Sequence, residues 1–192
     1  GHAVGKSLNE NGFEVITCLD HRSQRTHNLA KEGNIQDVSP LSSMLSRAEL
    51  VMSILVPSEA ISVANRVAET IPFTESVPIF VDCNAISPQT AHIINHILTE
   101  AGVNFIDGSI IGGPPKDQTY PRFYFSGQGT NILDELDGKG IEVRHMGTEI
   151  GRASAIKMCY AAGTKGTAAL HAALLTAAEA LGVSTELAEE LK

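Results

Sequence analysis

The run Pro78-Ile-Phe-Val-Asp82-Cys-Asn-Ala-Ile-Ser-Pro88-Gln-Thr-Ala-His-Ile-Ile-Asn-His-Ile-Leu-Thr-Glu-Ala101-Gly102-Val-Asn-Phe-Ile-Asp-Gly108 spells out a strand, a helix and a second strand with little between them. Its first strand is continuously apolar rather than alternating, as expected of a strand covered on both faces. Ser87 offers a side-chain cap and Pro88 suits a first helical turn. Gly102 stops the helix after Ala101. The second strand starts at once.

The same alternation extends both ways. Strands are expected at 15–19, 50–55, 78–82, 103–108, 122–126 and 141–145, with a short further piece near 35–38. Helices are expected at 3–11, 24–32, 41–46, 58–70, 88–101, 131–137 and 150–181. This pattern predicts an α/β protein, Rossmann-type and doubly wound around a mostly parallel sheet. Near Gly151 it gives way to one Ala-rich helix far longer than the others. The expected division is therefore a nucleotide-binding domain over 1–150, followed over 151–192 by an interdomain helix and the start of an all-α domain. The chain has no initiating methionine, Gly1 falls where a turn should follow a first strand, and the sequence stops in mid-helix. Both termini therefore read as truncated.

With 192 residues the chain can bury a sizeable core. Its net charge of −8 and the lack of any basic stretch argue against a nucleic-acid partner. No uninterrupted apolar span reaches membrane length, because Lys165, His171 and Glu179 break the longest one. No signal peptide is visible. Cys18, Cys83 and Cys159 lie far apart in apolar runs and read as small buried hydrophobes of a reducing compartment. A cytoplasmic location is expected.

Gly1, His2, Ala3, Val4 and Gly5 head a helix that precedes the strand ending at Asp20. Glycines there let the backbone approach a pyrophosphate at a helix N-terminus, or else simply make a tight turn. Beyond that strand, Asp20 favours a free ribose 2′-hydroxyl, whereas Arg22 and Ser23 favour a 2′-phosphate. Asp20 lies slightly past the position of a ribose acid, so the reading favours NADP over NAD. Val56 and Pro57, and separately Asn84, sit where strands hand over to helices, at the carboxyl edge where open parallel sheets bind ligands. Asn84 is a candidate partner of a nicotinamide amide, or a residue that closes a turn.

In Gly151-Arg-Ala-Ser-Ala-Ile-Lys157-Met-Cys-Tyr-Ala161, one lysine lies two turns inside the long helix. A lysine among apolar neighbours loses hydration, which disfavours its charged form and suits it to exchanging protons with a substrate hydroxyl. The ordinary alternative is a lysine that snorkels to water. Asp107 is read as capping the turn that follows it. His92, His96 and Glu100 share one helix side, as a metal site requires, but without an HExxH arrangement they read as a water-facing stripe, and no metal is expected. A nucleophilic hydrolase fits poorly, because the sequence has no Gly-x-Ser-x-Gly elbow and no cysteine with a persuasive basic partner.

Read in order, the segments 1–5, 20–23, 55–58, 82–88, 107–115 and 151–166 resemble the β-hydroxyacid dehydrogenases, which include 6-phosphogluconate and 3-hydroxyisobutyrate dehydrogenases. They look closest to a phosphogluconate-dehydrogenase-like branch with a poorly characterised C-terminal helical domain. The resemblance implies an NAD(P)-dependent oxidoreductase passing a hydride between the nicotinamide and a small hydroxy acid, with a homodimer as its state. It implies Lys157 as general acid/base, and Ile111, Gly112 and Gly113 along the substrate site. Many relatives carry serine where this chain has Ile111, and asparagine where it has Ala161. Lys165, two turns beyond Lys157, is a candidate to compensate or an ordinary surface lysine. The rival reading is a protein that binds NAD(P) without chemistry.

Overall fold

The computed structural model describes residues 1–116 and 119–192. It comprises two compact units, Gly1–Lys157 and Met158–Lys192. In the first, the strands β1 (Ile16–Thr17) and β2 (Gln36–Asp37) form a short parallel pair. The other five make one sheet in simple order: β3 (Leu50–Ser53), β4 (Ile79–Asp82), β5 (Phe105–Ile111), β6 (Arg122–Ser126) and β7 (Glu142–His145). All neighbours are parallel except β5 and β6. The helices are α1 (His2–Glu10), α2 (Gln24–Glu32), α3 (Leu41–Arg47), α4 (Ala60–Thr70), α5 (Pro88–Glu100), α6 (Arg152–Leu181) and α7 (Ser184–Glu190).

Two cores lie on opposite faces of the sheet, which is why β4 reads as continuously apolar. Phe80 joins Leu45, Ala64, Val67, Ile94 and Leu98 under α3, α4 and α5. Its neighbour Val81 joins Val4, Leu8, Ile106, Phe123 and Phe125 on the α1 side. Phe80, Phe123 and Phe125 are fully buried, each burial worth roughly 2–3 kcal/mol. The fold is thus the doubly wound α/β arrangement that the alternation predicts. Ser87 caps α5 by accepting from the Thr90 amide, with Pro88 in the first turn.

Several details differ from the sequence reading. The helix expected at 131–137 is a 3-10 helix, Thr130–Leu136. Its two buried residues, Leu133 and Leu136, are three apart, the spacing that a 3-10 period aligns, and Ile132 packs beside them. β5 runs on to Ile111 because antiparallel β6 pairs with it throughout that stretch. Cys83 is buried as expected, whereas Cys18 is half-buried and Cys159 exposed. Among the described residues, no helix is long and apolar enough to cross a membrane.

Candidate active site

At the start of α1 the Gly1 cap makes no side-chain hydrogen bond. Among the described residues, no side chain accepts from the first-turn amides of His2, Ala3 and Val4, which suits an anion. Gly5 is buried, and a Cβ there would come within 2.6 Å of the Ile35 Cδ1. Its lack of a side chain lets α1 pack against the chain beside β2.

Arg22 and Ser23 follow β1 and are exposed. Ser23 is also the cap of α2, its hydroxyl accepting from the Thr26 amide at 3.4 Å. The loops after β3 and β4 leave Val56 and Pro57 exposed. They bury Asn84, which works hard inside the protein. Its Oδ1 accepts from the Leu55 amide, and its Nδ2 donates to Ser53 Oγ at 3.0 Å and to Asp82 Oδ2 at 2.8 Å. Both amide hydrogens are thus engaged, and Asn84 meets any ligand only through a remaining Oδ1 lone pair or its main chain. Burial pushes the Asp82 carboxyl above its ordinary range, against the lowering effect of the bonds from Asn84. Burial also raises the neighbouring Cys83 thiol well above its usual value.

Asp107 departs from expectation. It does not cap the turn that follows it; its carboxylate reaches the beginning of α6. Oδ2 accepts from the amides of Gly151 and Ser154, each at 3.0 Å, and from Ser126 Oγ at 3.1 Å. Oδ1 accepts from Ser154 Oγ at 2.5 Å. Ser126 Oγ in turn accepts from the Ala153 amide. The first turn of a helix exposes amides with no internal partner, and here a buried carboxylate satisfies them from another element. The sequence offers only a partial signal: the lead-in Gly151-Arg-Ala carries no acceptor of its own, so its opening amides turn to water or to a remote side chain.

That anchor fixes where Lys157 falls. Its side chain is half-buried, and Nζ donates to the main-chain oxygen of Ile110 at 2.7 Å. Ile111, Gly112 and Gly113 follow immediately. They wall a cavity of about 510 Å³ that Pro114, Lys116, Tyr120 and Arg122 also line. The structure therefore brings Lys157 to the strand end that carries the paired glycines. Lys116, Thr119, Tyr120 and Arg122 were not recognised as cavity residues from the sequence. Lys165 belongs to the second unit and is exposed, as is His171. His96 and Glu100 pair with each other at 3.5 Å on the surface of α5.

The model of the NAD-binding domain of 6-phosphogluconate dehydrogenase matches residues 1–138. An uncharacterised 28.5 kDa protein of Methanothermus fervidus is 30% identical over 179 residues, covering 93% of this chain and 67% of its own. A conserved protein of unknown function, itself structurally similar to 3-hydroxyacid dehydrogenases, is 30% identical with a TM-score of 0.79; the match covers 99% of this chain and 70% of that one. The imine reductase of Myxococcus stipitatus, in complex with NADP+, has a TM-score of 0.74 at 18% identity, over 98% of this chain and 66% of the other. At that identity the likeness is one of fold.

Proposed function

We propose, from the premise that this chain belongs to the family of the NAD-binding domain of 6-phosphogluconate dehydrogenase, that it is an NAD(P)-dependent oxidoreductase acting on the carbinol of a small hydroxy acid, with Lys157 as general acid/base. The observation that carries this reading is the 2.7 Å bond between Lys157 Nζ and Ile110 O, one residue before the cavity wall begins.

The residues present fit a dinucleotide. The amides that open α1 suit its pyrophosphate, exposed Arg22 suits a 2′-phosphate, and Val56, Pro57 and Asn84 sit at the loops beside it. When bound, the nicotinamide supplies hydride transfer. Ile110 O accepts one N–H of the Lys157 amine, which orients it before substrate arrives and leaves the lone pair of its neutral form for the proton. Lys157 Nζ then takes the hydroxyl proton during oxidation and returns it during reduction. Gly112 and Gly113 admit the substrate close to the main chain; nothing lies within 4 Å of a Cβ built at Gly113. NADP is the preferred cofactor of this reading. A homodimer completes it, supported by Leu170, Leu174 and Leu175, each more than half exposed in the second unit.

Turnover by a Lys157→Met variant of the full-length protein tests the central role. General acid–base groups contribute about a hundredfold or more, so a loss of that size with an unchanged unfolding midpoint is expected. Undiminished turnover would refute it. Cofactor binding with no turnover of hydroxy acids by the wild type would instead favour a binding protein without chemistry.

A further inference from the structure

The wall of the cavity contributed by β6 is not used by the proton transfer described above. Arg122 opens that strand and stands directly opposite Ile111 in the antiparallel ladder. Opposed residues of such a pair carry their Cβ atoms roughly 5 Å apart on one face. Ile111 supplies no polar side-chain atom, and the Ile110 carbonyl beside it already holds Lys157. Arg122 is exposed and lines the cavity with Gly112, Gly113 and Tyr120. Its other ladder neighbour, Glu142, is paired with Arg144 at 3.0 Å. No hydrogen bond or ion pair to the Arg122 guanidinium occurs among the described residues, nor any hydrogen bond to the Tyr120 hydroxyl. An arginine keeps its charge at any cellular pH and offers a flat fork of donors matched to a carboxylate.

We propose that Arg122 determines substrate specificity by receiving the substrate's carboxylate, with the Tyr120 hydroxyl as a second donor. This rests on the oxidoreductase reading and adds the group that distinguishes an acid from a neutral alcohol or imine. A carboxylate held at β6 leaves the rest of a small molecule to extend along Gly112 and Gly113 toward Lys157. The cavity, about 510 Å³, has room for a small hydroxy acid held in this way.

Calorimetric binding of malonate, a dicarboxylate with no carbinol to oxidise, tests this on the full-length protein loaded with NADP. The dimethyl ester serves as the neutral control. Arg122→Gln is expected to weaken malonate binding about tenfold to a hundredfold, the usual weight of hydrogen bonds to a charged group. Arg122→Lys is expected to recover part of that loss. The ester should bind wild type and variants alike, and unfolding midpoints should not move, because the side chain is exposed. In a Lys157→Met background Arg122→Gln should weaken malonate binding by the same factor, so failure of the catalytic role is read separately from failure of this one. Absent malonate binding to wild type, or equal binding to Arg122→Gln, overturns the proposal. Inorganic phosphate displacing malonate at lower concentration overturns it too, in favour of a phosphorylated ligand.

Discussion

Asp107 and Ser154 lie 47 residues apart in the chain, yet the serine donates both its hydroxyl and its amide to the aspartate's two oxygens. Three residues further along each element come Ile110 and Lys157, which are joined by their own bond. The strand and the helix are therefore pinned at two points, and the second pin carries the Lys157 amine. Position at the site is set by a buried carboxyl group that does not line the cavity.

Removing that charge should be costly. Asp107→Asn turns an acceptor into a donor facing amides and hydroxyls, leaving buried groups unsatisfied, at about 3 kcal/mol. Urea unfolding measures this, and a change under about 1 kcal/mol would show that α6 does not depend on the contact. Ser154→Ala, which leaves the carboxylate and the amide bonds in place, should cost about 1 kcal/mol.

Asp82 predicts a pH dependence. Burial raises its carboxyl in the folded chain, so as pH rises the unfolded chain loses this proton first. Stability contributed by the group is complete below the ordinary aspartate range. It falls as pH rises from there through the raised folded value, and is level above it. Asp82→Asn should flatten that part of the stability profile. A wild-type-minus-variant difference that rises with pH in this window would contradict the sign.

Two glycines should behave oppositely. A Cβ at Gly108 would stand 2.7 Å from the Asp82 carbonyl oxygen and 3.1 Å from Cys83 Sγ. Gly108→Ala must push β4 and β5 apart, at about 2 kcal/mol. Gly113→Ala meets nothing within 4 Å, so its stability should change by less than about 0.5 kcal/mol. Turnover should nonetheless fall, because the methyl enters the cavity. Thermal unfolding beside steady-state kinetics separates the two, and a destabilised Gly113→Ala would count against this account.

The proposed preference for NADP rests on Arg22. Arg22→Ala should weaken NADP about tenfold or more while leaving NAD nearly unchanged, since only the former carries a 2′-phosphate. Titration by protein fluorescence or calorimetry checks this. Equal losses for both dinucleotides would move the preference elsewhere.

Most of the α/β alternation was legible because its signals are local. Ser87, Pro88 and Gly102 mark their helix without reference to anything distant, and Phe80 beside Val81 announces a strand covered on both sides. What escaped was whatever depends on pairing across the chain. Asp107 looked like the cap of its own turn because its acceptor role is satisfied 44 and 47 residues away. Arg122 looked like an ordinary strand residue until its register against Ile111 set it at the cavity. The short 3-10 helix escaped for another reason: over seven residues, apolar positions three apart fit either helical period.

The remote cap on α6 has a consequence for how order spreads through the molecule. A peptide excised from this helix would start frayed, since its opening amides borrow their acceptor from a strand in the middle of a sheet. Its first turn gains those acceptors only where β5 and β6 are in place. The amine two turns on then becomes oriented only once the surrounding sheet is complete.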